Sequence, residues 1–330
     1  MKNKLLLTTA IASVAFAGSA FAETKIGGNL EQTFQTQSID SNDADTGRGL
    51  GAEHNISLSA SKDLDNGLTA KYGTVLEDGN ADTHYLTVGT DTVSLTVGRD
   101  TGNNLSSTAI PHISDQAGTI VGNNATDVTT YDNIEVANTH DKEHVSLDFN
   151  VAGGTLTGRY APDMSTSRPG DSAATDSGAS ATEILYSGSL GVDGLSLRVG
   201  QATQEGKDGA EDGKAKRYDI SYNFGQFAIG IGRDESESAA ATASQVETET
   251  DKAGITFAAT DAISLGLNYL ETEKKSGGTK AANDEEIIMA SVGYNFGGLG
   301  IEMTYAEVEN AGNTANTDGE FFQIRTIQKF

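Results

Sequence analysis

The 330-residue chain contains no cysteine, only three prolines, few basic residues, and no long solid apolar run. Without cysteine there can be no disulfide framework of the kind that staples small exported domains. Lys and Arg number 22 against 47 Asp and Glu, giving a formal charge of −25. No basic patch is available to neutralise phosphates, which excludes a nucleic-acid partner. Beyond the N-terminus no segment approaches 18 uninterrupted apolar residues, so no transmembrane helix is predicted. A hydrophobic fraction of 36% without solid runs also makes a conventional core hard to place.

The N-terminus is the exception. MKNKLLLTTAIASVAFAGSAFA carries two lysines, an apolar run from Leu5 to Ala17, and Ala20-Phe21-Ala22 as a small-residue cleavage site. This predicts a secretory signal peptide over 1–22, with the exported chain running over 23–330. The run is too short to span about 30 Å of hydrocarbon as an anchor.

What the rest of the chain has in abundance is period-two order. Leu68, Ala70, Tyr72, Thr74 and Leu76 alternate with polar or small residues, as do Val145, Leu147, Phe149 and Val151. Tyr218, Ile220, Tyr222 and Phe224 repeat the pattern, and so do Ile263, Leu265, Leu267 and Tyr269. Such alternation predicts strands with one apolar face. No convincing helix appears, and 236–249, which has helix formers without an apolar stripe, reads as a loop.

Connection lengths then discriminate. Short corners fall at 64–67, 89–92, 151–154, 191–194, 224–227, 259–262 and 296–299. Longer polar segments lie between them, such as 37–49, 163–182, 204–216, 236–247, 273–284 and 309–318. Seven short turns and eight long loops predict an all-β, 16-stranded antiparallel transmembrane β-barrel, with short periplasmic turns and long extracellular loops. Closure leaves no unpaired edge in lipid. The repeated stretch YNFG, at 222–225 and 294–297, closes strands at the short-turn rim, where its rings would sit at the membrane–water interface. The chain ends DGEFFQIRTIQKF, an amphipathic strand with a terminal Phe330, in which Thr326 and Gln328 interrupt the apolar phase.

NISLSASKDLDNGLTAKYGTVLE (55–77) resembles the early hairpin of general bacterial porins, and YLTVGTDTVSLTVGR (85–99) resembles a second one. Tyr160-Ala161-Pro162-Asp163 is similar to the end of a later strand, KIGGNLE to the mature start, and Phe330 to the family's C-terminal signature. The resemblance implies passive diffusion of small hydrophilic solutes, no enzymatic chemistry, a homotrimer, and outer-membrane lipid including lipopolysaccharide as surroundings. It also implies a third loop folded into the pore, here 100–139, whose acidic residues face a basic wall. Asp115 and Asp127 are the loop-side candidates, and Arg99, matching the family's Gly-Arg step, the wall-side one. Strict alternation puts Arg99 in phase with Val93, Leu95 and Val97, toward lipid, unless a bulge at Gly98 re-aims it.

This sequence departs from the family's basic wall. Asn55 stands where an arginine is usual, and HVSLDFN (144–150) has none. Lys71, Arg159, Arg198 and Arg325 fall on the inward phase, as do Glu31 and Glu53. Acidic groups in a pore favour cations, so a cation preference is expected. The alternatives are a substrate-specific channel, a barrel with a plugged lumen, or a secreted or surface β-sandwich adhesin without a pore.

Two further motifs are set aside. His140-Asp141-Lys142-Glu143-His144 spells H-x-x-E-H, but zinc chemistry needs that pattern on a helix, and its flanks are a loop and a strand. SNDADTG (41–47) and DGAEDG (208–213) lack the twelve-residue calcium-loop pattern and read as solvated loops. No cofactor is called for. A divalent cation bridging such a loop to lipopolysaccharide is the one inorganic partner the pattern allows.

Overall fold

The computed structural model describes residues 23–39, 47–77, 80–99, 103–113, 139, 142–162, 164, 179–207 and 209–330. Seventeen strands form one sheet: β1 (Glu23–Ile39), β2 (Gly47–Asp63), β3 (Thr69–Glu77), β4 (Asn80–Gly89), β5 (Val93–Arg99), β6 (His144–Val151), β7 (Gly154–Ala161) and β8 (Ala181–Gly188) come first. They are followed by β9 (Leu195–Gln204), β10 (Gly213–Phe224), β11 (Phe227–Glu237), β12 (Val246–Ala258), β13 (Ile263–Ser276), β14 (Thr279–Lys280), β15 (Glu285–Asn295), β16 (Leu299–Glu309) and β17 (Gly319–Lys329). Successive strands pair antiparallel, β13 pairs on to β15, and β1 pairs with β17 as well as β2, so the sheet closes. The two-residue β14 only extends a hairpin above β13, which leaves sixteen strands that cross.

Every short corner read from the sequence is a tight connection here. At the two YNFG corners Gly225 and Gly297 hold φ of +70° and +76°. A side chain resists that conformation and glycine does not. Two loop-rim connections differ from expectation. Residues 78–79 alone separate β3 from β4. The polar segment 273–284 is largely ladder, because β13 runs to Ser276 and turns at Gly277-Gly278 to pair Lys275 with Lys280.

The barrel is apolar outside and polar inside, which rejects the soluble sandwich. Leu95, Val97, Ile184, Ile220, Ile229, Ile231, Leu267 and Ile288 are all exposed large hydrophobics on the outer face. So broad an apolar surface belongs against lipid. Tyr222, Phe224, Phe227 and Phe257 stack in series at the short-turn rim, with centroids 6.3, 5.7 and 4.6 Å apart, and Tyr294 and Phe296 meet at 4.1 Å. These rings form the interfacial girdle on that side. On the loop side the apolar belt ends in exposed ion pairs: Lys216–Glu235 at 2.8 Å, Lys214–Glu237 at 3.2 Å and Arg233–Asp251 at 2.6 Å. Above them Lys280 is held above its usual pKa, chiefly by its hydrogen bond to Glu273.

Candidate functional site

The lumen is divided by residues 103–113, which leave β5 and lie against the inner wall of β7–β15. Two apolar anchors seat this segment. Leu105 packs with Ala181, Leu185, Ala202 and Ala215, and Ile110 with Leu270, Ile287, Met289 and Phe321. The wall makes room for it with inward-facing glycines. A Cβ at Gly254 would sit 2.5 Å from the Pro111 carbonyl oxygen and 2.8 Å from Ile110 Cγ2. One at Gly230 would meet Pro111 Cδ at 2.7 Å, and those at Gly266 and Gly293 would meet Ile113 at 3.2 and 3.1 Å. Neighbouring strands thus supply bare backbone where the segment passes.

Polar groups clasp the same segment. Thr108 Oγ1 and the Ala109 N–H donate to Asp219 Oδ2 at 2.6 and 2.9 Å, and Asn268 Nδ2 donates to the Pro111 oxygen at 2.8 Å. Arg159 donates to the Asn103 oxygen at 2.7 Å, Arg198 to the Asn104 oxygen, and Arg217 to the Ser106 oxygen. Wall carboxylates neutralise these cations. Arg217 grips Asp234 through two bonds of 2.8 and 2.7 Å, and Lys252 reaches Asp234 at 2.7 Å and Asp219 at 3.2 Å. Arg159 pairs with Glu183 at 2.9 Å, and Thr139, at the far end of the third loop, donates to the same Glu183 at 2.9 Å. The side chains of Arg217 and Lys252 are 0% exposed, so their charge meets protein rather than solute.

The opposite wall is built differently. Across β16, β17, β1 and β2 run Glu302, Arg325, Glu31 and Glu53, all on the inward phase. Arg325 bonds Glu31 at 2.6 Å and lies 3.5 Å from Glu302. Glu53 stands directly opposite Glu31 in the ladder and accepts from Asn55 Nδ2 at 2.5 Å. Asn55 in turn stands opposite Glu77 on β3. Glu302 remains 20% exposed and Arg325 12%, and a cavity shared with Asn29, His112 and Ile113 opens beside them. Lys71 is exposed near the short-turn rim, opposite Ser61 and Thr87.

The residues read from the sequence therefore separate into two groups. Arg159 and Arg198 are inward but hold the loop backbone, whereas Glu31, Glu53, Asn55 and Arg325 share the open wall. Arg99 is a correction: the ladder keeps it opposite His84 without a bulge at Gly98, in the outward phase of Val93, Leu95 and Val97. Asp115 and Asp127 lie outside the described residues, as do His140 and the acidic stretch 41–46. His144 opens a strand, with Nδ1 bonded to the Lys142 oxygen at 2.8 Å, so the H-x-x-E-H spacing has no helix at that end. Among the described residues no three His, Asp or Glu side chains converge as a metal would require. Arg217, Asp219, Asp234, Lys252 and Glu302 were missed, although each is a charged residue on the inward phase of a predicted strand.

Comparison with known proteins agrees with this geometry. Residues 8–313 match the Gram-negative porin family. No curated protein sequence matches. Among solved structures, a loop L8 deletion mutant of OmpT, an outer membrane protein of Vibrio cholerae, is 14% identical with a TM-score of 0.66, covering 94% of this chain and all of that one. The anion-selective porin from Comamonas acidovorans is 13% identical with a TM-score of 0.66 and the same coverage. OmpF of Salmonella typhi in complex with daunomycin is 10% identical with a TM-score of 0.66, covering 94% of this chain and 98% of its own. At these identities the likeness speaks for the fold, and the family match speaks for the rest: this chain belongs to the Gram-negative porin family of outer-membrane β-barrel channels.

Proposed function

We propose that the protein is a cation-preferring diffusion channel for small hydrophilic solutes, working without chemical conversion. The observation that carries this reading is the contrast between the two inner walls. Arg159, Arg217 and Lys252 are paired with carboxylates beneath residues 103–113, while Glu31, Glu53, Glu77 and Glu302 lie on the other wall, where Arg325 pairs with Glu31 and Glu302. Carboxylates along an aqueous path lower the energy of a cation there and raise that of an anion. The Comamonas acidovorans structure is called anion-selective, but at 13% identity its selectivity does not transfer.

The reading extends to assembly. One relative, OmpT of Vibrio cholerae, was solved in a trimer form. Here Gln32, His54, Thr326 and Gln328 face outward on β17, β1 and β2, where the apolar belt is interrupted. Polar groups are poor company for lipid and better company for another subunit. Export through residues 1–22 and divalent cations at the acidic loops belong to the same proposal.

Planar-bilayer recording of the purified protein under a KCl gradient tests it. The expected result is stepwise conductance that closes in threes, with a reversal potential of cation sign. An anion-sign potential would remove the cation preference, and folded inserted protein that passes no current would remove the channel.

A further inference from the structure

We infer that Arg325 is the residue that limits the channel's preference for cations. The inference rests on the reading that the chain conducts along the acidic wall. Arg325 is bonded to Glu31 at 2.6 Å and lies 3.5 Å from Glu302, so one guanidinium offsets two lumen carboxylates at once. It sits between them on β17, directly opposite Glu302 on β16 and Thr33 on β1. Its neighbours Glu31 and Glu302 line the same cavity as His112 and Ile113, at the far end of the clasped segment, with Lys329 at the cavity's other side. The inward basic residues of β7–β12 are covered or neutralised by the clasp. Lys25, Lys71 and Lys329 lie near the short-turn mouth. Arg325 is thus the wall cation bonded to the acidic row, while Lys329 enters the same cavity from four residues nearer the short-turn mouth.

Its removal converts a row of charges with one positive member into an all-acidic one. A unit charge about 6 Å from the path of an ion in water changes that ion's occupancy roughly threefold, and salt screening reduces this. Arg325 also braces Glu31, so a change in selectivity has to be told apart from a change in shape.

The test is the permeability ratio of K⁺ to Cl⁻, taken from reversal potentials in a KCl gradient, for four variants of the full chain beside the wild type. Arg325→Gln is expected to raise the ratio roughly threefold, and Arg325→Lys to leave it near the wild-type value. Glu302→Gln should lower it by a similar factor. The double variant Arg325→Gln/Glu302→Gln, which removes one charge of each sign, should restore it. If Arg325→Gln fails to fold, Arg325→Gln/Glu31→Gln, which leaves neither partner of the 2.6 Å pair behind, carries the decision against Glu31→Gln alone, with the same roughly threefold rise expected. An Arg325→Gln ratio that is unchanged or shifted toward anions would overturn the inference, as would a double variant no different from Glu302→Gln. The wild-type sign is a separate outcome. An anion-selective wild type sinks the cation preference, while the direction of the variant shifts still decides the role of Arg325.

Discussion

Replacing Gly254 with leucine should raise the single-channel conductance. The first atom of the new side chain would meet the Pro111 carbonyl oxygen at 2.5 Å, and a backbone carbonyl cannot swing aside as a long side chain can. Forcing extra methylenes into a packed site costs about 1–3 kcal/mol. Opposing that displacement is the clasp, in which each hydrogen bond to a charged group contributes about 1.5–3 kcal/mol. One overpacked glycine therefore displaces the segment locally at Pro111, and removing two of the clasp bonds with it should loosen it further. Gly254→Leu combined with Asp219→Ala deletes both bonds from Thr108 and Ala109 and is expected to give the larger increase. Gly158→Leu is the control, since nothing lies within 4 Å of a Cβ there and its ladder partner Leu147 faces lipid. Bilayer conductance steps report the result. A fall in conductance for Gly254→Leu would mean that the segment holds its place and the new side chain merely fills the lumen.

Arginine truncation is expected to cost far more stability on the inner face of the barrel than on the outer. Arg217 is 0% exposed and bonded twice to Asp234, with Asp219 3.9 Å away. Arg217→Ala leaves those carboxylates to Lys252 alone, and breaking a buried pair in this way costs about 3–5 kcal/mol. It also removes the bond to the Ser106 oxygen, so the segment loosens as the wall weakens. Arg233, on the neighbouring strand, makes comparably short contacts, 2.6 Å to Asp251 and 3.0 Å to Glu249, yet it is 44% exposed. Water and salt reduce such exposed pairs to about 0.2–1 kcal/mol. Thermal unfolding in detergent, followed by β-sheet circular dichroism, should show a clear loss for Arg217→Ala and almost none for Arg233→Ala. Equal losses would mean that the lumen is wetter at Arg217 than its burial indicates.

Much of the scaffold was legible because a lipid-exposed strand has a strict period. The phase of Tyr218, Ile220, Tyr222 and Phe224 cannot slip by one residue without turning aromatic rings into the lumen. Each short corner was therefore fixed by the strands on either side of it. Residues 273–284 were misread for the converse reason: a charged ladder standing above the membrane carries no apolar phase, and polarity alone looks like loop. The glycine track illustrates a different limit. Gly230, Gly254, Gly266 and Gly293 are each unremarkable in their own strands, and only the cross-strand register brings them into one line beneath Pro111 and Ile113. The clasp residues carried a signal that was not used. Asp219, Asp234, Lys252 and Glu302 are charged groups in mid-strand on the inward phase, where a packed core would not tolerate them. What no local pattern conveyed was which inward charges stay open to solute, because that depends on where residues 103–113 lie. Arg99 shows the reverse error, in which a short family motif outweighed an alternation that placed it correctly.

If solutes pass along the acidic wall of β16, β17, β1 and β2 while residues 103–113 cover the wall of β7–β15, side chains on the two walls differ in their access from the pore. The cysteine-free background permits a direct test with a small, positively charged thiol-reactive reagent added during bilayer recording. Glu53→Cys, on the open wall, should lose current when the reagent is added. Ala202→Cys, 2% exposed and packed under Leu105, should be untouched. A silent Glu53→Cys beside a reactive, current-blocking Ala202→Cys would place the conduit on the wrong wall and contradict the account.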